Sequence, residues 1–234
     1  MIFRHPALRI LVPIATVVVA VAYVLVEALS GSDASRRLTF TYHQHNGSGM
    51  MDQTLEIFNP ALSAVVPTLE IVPVDSSGAV VAGVRVSTAY GSDKGRLLAP
   101  GRAYSLDVLA FAGDDVSRVA DVRVTVRASA KAEFPVTPLD VEVQTFDVAG
   151  EQTSKVGPFW SVELTNPNPE KVAVGVVCIL WDQPLSSQPQ QALAVLPVGV
   201  AAIAGEGSTT MRADGEAADG CGSLKAYFIP LDQV

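Results

Sequence analysis

Leu55-Glu56-Ile57-Phe58-Asn59-Pro60 returns in the second half of the chain as Val162-Glu163-Leu164-Thr165-Asn166-Pro167. In each copy a short β-prone run stops at Asn-Pro, a pair that starts turns because proline lacks an amide hydrogen and restrains the residue before it. Repetition of this strand-and-turn predicts two copies of one β unit.

Outward from the first copy, short apolar or alternating runs recur at about ten-residue spacing, each ended by Gly, Pro, Asn or Asp, which is the pattern of a β-sandwich. The expected strands are 38–42, 55–58, 69–74, 80–86, 104–111 and 119–126, with turns at Asp75-Ser76-Ser77-Gly78 and Leu98-Ala99-Pro100-Gly101. Val122-Arg123-Val124-Thr125-Val126-Arg127 alternates cleanly, so one face is expected in a core and the other in water. Around the second copy the expected strands are 141–148, 160–165, 172–181, 191–195, 198–204, 208–212 and 224–229. Pro135 and Pro138 read as a stiff linker at 134–139 between domains at 38–133 and 140–234.

The succession of strand, Asn-Pro turn, strand, Asp-rich Gly turn, strand, Leu-Ala-Pro-Gly turn and strand resembles small bacterial extracytoplasmic domains of immunoglobulin or fibronectin III type. The likeness is fullest over 53–111 and reaches the second half at its Asn-Pro element. It implies β-sandwiches and no particular activity. The fold expected is all-β: two tandem immunoglobulin-like or fibronectin III-like sandwiches behind one N-terminal transmembrane helix.

That helix is read from Ile10 to Val26, ILVPIATVVVAVAYVLV, an uncharged run between Arg9 and Glu27. As a helix it would be roughly 26 Å long, close to the thickness of a bilayer core. The expected order is therefore a cytoplasmic segment at 1–9, an anchor at 10–29 in the lipid bilayer, and a small polar linker at 30–37. The basic start, MIFRHPALR, favours a single-pass protein whose bulk lies in the periplasm or outside the cell, although Arg36 and Arg37 blunt the asymmetry. Ala28-Leu29-Ser30 leaves a cleaved signal as the competing reading.

Of the 16 bases, four precede Leu38, against two of the 24 acids, so the remainder carries a net charge of −10. Such a surface repels phosphate backbones, and no nucleic-acid partner is expected. No phosphate loop, dinucleotide fingerprint or nucleophile elbow is present, and neither an enzyme nor a cofactor is expected. His43 and His45 have the i, i+2 spacing of a ligand pair, with Asp52 or Glu56 as a third donor and Met50-Met51 nearby, but two histidines in a polar loop read as solvated rather than metal-bound. Asp214, Glu216 and Asp219 miss the spacing of a calcium loop and read as an acidic surface loop. Cys178 and Cys221 are the only cysteines; they read either as a disulfide or, for Cys178, as a buried thiol.

Val172–Trp181 is apolar at every position, whereas a sandwich strand ordinarily shows water one polar face. Leu193 to Ala204 repeats this over twelve residues. These are either small residues tolerated at a surface, or a face covered by a partner, by the first domain or by the membrane. Phe159 and Trp160, being adjacent, cannot both enter the core if they lie in a strand. Interface candidates are therefore Phe159, Trp160, Val172, Val174, Val176, Trp181, Leu193 and Val195. The function expected is a non-catalytic accessory or scaffold subunit bound to other membrane-protein subunits. The alternative is an anchored binding module for a soluble ligand, cell-wall polymer or metal.

Overall fold

The alternation at Val122–Arg127 becomes a strand with its valines turned inward and Arg123, Thr125 and Arg127 turned out. Arg123 donates from Nη2 to the Gly78 carbonyl (3.0 Å), and Arg127 pairs with Glu70 across the strand junction. The computed structural model describes residues 38–44, 53–183 and 190–234. Within them the chain is all-β, with antiparallel pairings throughout and architecture compatible with a β-sandwich. The expected anchor at 10–29 lies outside the described residues. Among those described, no helix is long and apolar enough to cross a membrane.

The first unit has six strands: β1 (Thr39–His43), β2 (Thr54–Asn59), β3 (Ala64–Val74), β4 (Arg85–Thr88), β5 (Ala103–Ala112) and β6 (Asp121–Ala132). One sheet runs β1-β2-β5-β4 and the facing pair is β3-β6. Between them Leu55 and Ile57 of β2, Val108 and Leu109 of β5 and Leu69 of β3 close a dry core. The strand expected at 80–86 shrinks to a single bridge at Val80, and pairing resumes at Arg85. A turn at Ala82-Gly83, with Gly83 at φ 82°, interrupts it.

The second unit has β7 (Glu142–Phe146), β8 (Gln152–Thr153), β9 (Ser161–Thr165), β10 (Val172–Trp181), β11 (Ala192–Ile203), β12 (Ser208–Arg212) and β13 (Ser223–Ile229). Its sheets are β12-β9-β7-β8 and β11-β10-β13. The two strands expected at 191–195 and 198–204 are one strand, β11. It absorbs Pro197 and Gly199 at a register shift opposite Val176 and Val177, the kind of place where a strand tolerates proline.

The sequence echo extends to the topology. β2 lies between β1 and β5 as β9 lies between β7 and β12, and β3 pairs with β6 as β10 pairs with β13. It extends further, to single hydrogen bonds. Buried Asn59 donates from Nδ2 to the carbonyls of Ser63 (3.0 Å) and Ala99 (3.1 Å) and accepts from the Ala61 amide (3.0 Å). Buried Asn166 donates to Glu170 (2.8 Å) and Ala204 (3.0 Å) and accepts from the Asn168 amide (3.0 Å). Each asparagine thus closes its own turn and ties it to a distant loop. The units differ in two places: β4 extends the β1-β2-β5 sheet whereas β11 extends the sheet of β10 and β13, and the short β8 beside β7 has no counterpart beside β1.

The first of these differences explains the doubly apolar strand. Even-numbered side chains of β10 (Val172, Val174, Val176, Cys178) enter the second unit's core with Val162 and Leu164. On the opposite face Val177 and Ile179 join the first unit's core, with Trp181 packed against it. The first unit covers the face that the sequence left without a polar side. Residues 134–139 carry no strand and separate the units in sequence, yet in space Arg37–Val234 forms one compact unit. At about 1.5–3 kcal/mol for each large aliphatic side chain buried, Val177 and Ile179 alone make this junction substantial.

Candidate functional site

The junction is organised by Gly175 of β10. A Cβ there would lie 2.7 Å from the ring of Tyr227, its register partner on β13. Without that Cβ the Tyr227 ring lies across the strand and stacks on Tyr90 of the first unit, with centroids 4.6 Å apart at 16°. Glycine inside a strand commonly marks such a close approach.

Tyr90 is held from behind by Asp107 of β5, which is fully buried. Its Oδ1 accepts the Tyr90 amide (2.8 Å) and the Val108 amide (2.8 Å), and its Oδ2 accepts the Ser92 amide (3.0 Å). Gly91, at φ 75°, turns the chain into the short 3-10 turn Ser92–Lys94 that presents this last amide. Burial pushes the Asp107 carboxyl up to about 6, against the lowering effect of the bonds from Ser92, Tyr90 and Val108. Burial and then the charge of Asp107 raise the Tyr90 and Tyr227 hydroxyls. Further contacts fasten the units: the Leu98 amide donates to the Phe228 carbonyl (3.1 Å), Phe134 meets Phe228 edge-on at 4.8 Å, and the Phe111 amide donates to Gln191 Oε1 (3.0 Å).

Beside the tyrosine stack a cavity of about 500 Å³ opens between the units. The first unit contributes Glu56, Tyr90, Leu98 and Tyr104; the second contributes Lys155, Val174, Lys225 and Tyr227; Pro138 and Asp140 lie between. Its size falls in the range of small-molecule sites, and its lining mixes apolar side chains with several charged and hydroxyl groups. Burial, and secondly the charge of Lys225, lower the Lys155 ammonium.

Phe159 and Val172, Val174 and Val176 are buried in the second unit's core, so they present no surface to a partner; Val174 also reaches the cavity. Trp160 is outside, 44% exposed, with the Arg212 guanidinium 4.0 Å over its ring. Phe159 and Trp160 lie just ahead of β9, pointing apart as adjacent residues should. Trp181 is half-buried and donates from Nε1 to Ser223 Oγ (2.9 Å). Leu193 is 70% exposed and Val195 half-buried against the first unit's core. Cys178 and Cys221 are joined by a disulfide. His43 ends β1, half-buried; His45 lies outside the described residues. Among the described residues no three His, Cys, Asp or Glu side chains are gathered to hold a metal ion. The acidic loop forms a 3-10 turn, Gly215–Asp219, whose Ala217 plugs the core.

Tyr90, Asp107, Lys155, Lys225 and Tyr227 were not singled out by sequence reasoning. Two signals were available: an ionisable residue inside the apolar run Leu106-Asp107-Val108-Leu109, and a glycine inside the apolar strand β10. The lysines lie far apart in the chain and carry no local signal. No protein-family model, curated protein or solved structure matches this chain.

Proposed function

We propose that this protein is a non-catalytic binding module, anchored in a membrane by residues 10–29 with its β units outside the cytoplasm, and that its ligand occupies the cleft between the units. One observation carries this reading: the roughly 500 Å³ cavity has walls from both units, whose relative position a shared core holds. Preorganised walls spare a ligand the cost of ordering its site. The Cys178–Cys221 disulfide supports an oxidising, extracytoplasmic setting. The strand orders support immunoglobulin or fibronectin III kinship for each unit: β1-β2-β5-β4 against β3-β6 corresponds to strands A, B, E and D against C and F, lacking G.

The accessory-subunit reading comes second, because its leading interface candidates on β10 are covered by the protein itself. It retains one favourable observation. β11 is an edge strand of twelve residues without a charge, with Leu193 70% and Val200 54% exposed, and such edges invite pairing with another chain. Gentle detergent extraction of the native membrane, followed by sizing and mass spectrometry, separates the two. A binding module is expected to migrate alone and to melt at a higher temperature in the presence of small molecules from its own envelope. Companions at fixed stoichiometry would overturn it in favour of the accessory subunit.

A further inference from the structure

We infer that the cleft takes a ring-bearing organic anion of single charge, with Lys155 and Lys225 holding the charge and the tyrosine wall holding the ring. The inference rests on the reading of the cleft as a ligand site. Lys155, just after β8, and Lys225, on β13, open onto the same cavity from separate stretches of the chain, and neither is paired with a carboxylate within 4.0 Å among the described residues. Two ammonium groups that open onto one cavity are both relieved by an anion between them. The depressed Lys155 ammonium has Lys225 among its causes.

The ring follows from strand geometry. Lys225 and Tyr227 are two residues apart on β13, so they share a face at a separation of about 7 Å. An anion on Lys225 therefore brings its body alongside the tyrosine pair. Tyr104 stands on the first unit's wall of the same cavity, 64% exposed, so much of its ring is open to a ligand. Glu56 and Asp140 line the cavity too, and their charges oppose a second negative group on the ligand, which confines the selection to monoanions.

Full-length protein in lipid nanodiscs would be titrated with 4-fluorobenzoate, 4-fluorobenzamide and 4-fluorobenzylamine and followed by fluorine NMR line broadening. The benzoate is expected to saturate, to bind most tightly of the three, and to weaken at least tenfold in Lys155→Met/Lys225→Met. Both lysines are exposed, so the double variant is expected to keep the parent melting temperature. Tyr104→Ala is expected to weaken all three probes. Equal benzoate binding by parent and double variant overturns the lysine assignment. Saturable amide or amine binding that Tyr104→Ala removes, without preference for the carboxylate, overturns the anion and leaves the cleft reading standing. Saturation by none of the three overturns both.

Discussion

Asp107 is a carboxyl group that the fold holds above its ordinary range. Its folded pKa, about 6, exceeds the 3.8 of an ordinary aspartate, so the folded state binds the extra proton. The stability it adds is fully present below the lower value and is lost as pH rises through about 6. Denaturant unfolding followed from pH 4 to 7 is expected to show Asp107 withdrawing of order 3 kcal/mol over that interval, and the parent-minus-Asp107→Asn difference isolates it. Asn166 makes the complementary case, since its value lies in bonds rather than charge. Asn166→Ala leaves the Glu170 and Ala204 carbonyls and the Asn168 amide without their side-chain partner. A loss of about 2–4 kcal/mol in urea unfolding is expected, and Asn59→Ala is expected to cost slightly less, because Asn166 also accepts a bond from the Asn168 side-chain amide that Asn59 lacks.

At the scale of elements, β10 is held at both ends of its argument with the sequence. Its even positions face one core and its odd positions another, which is why it tolerates no polar residue from Val172 to Leu180. The Cys178–Cys221 disulfide fastens β10 to the loop before β13 and closes a separation of 43 residues. On the chain-entropy account its reduction is expected to lower stability by about 4 kcal/mol, read as a shifted urea midpoint with and without reductant. Because β10 lies between both cores, that loss is expected to reach the first unit as well as the second.

For the whole molecule, a shared core predicts shared unfolding. Calorimetry of the β units is expected to record one cooperative transition, since neither core is complete without β10. Ile179→Ala empties a fully buried position in the first unit's core from a strand of the second, at a cost of about 2–5 kcal/mol. If the units are coupled as described, hydrogen exchange in β2 and β5 accelerates in that variant together with exchange in β10 and β13. Acceleration confined to the second unit would contradict the coupling.

Much of this was legible in one dimension. Period-two runs and Asn-Pro stops determined an all-β fold with a repeated unit over the described residues, and the bounds of β10 and β12 were readable to the residue, because strand alternation and turn chemistry are local. The doubly apolar β10 was readable too, as a strand with something on each side. What lay on its second side required the tertiary structure: partner, membrane and neighbouring unit all supply apolar contact, and hydrophobic burial is non-directional. The cleft was likewise out of reach. Tyr90 and Tyr227 meet through packing between units, and Lys155 and Lys225 reach one cavity from distant stretches of the second unit, so no spacing along the chain records either arrangement.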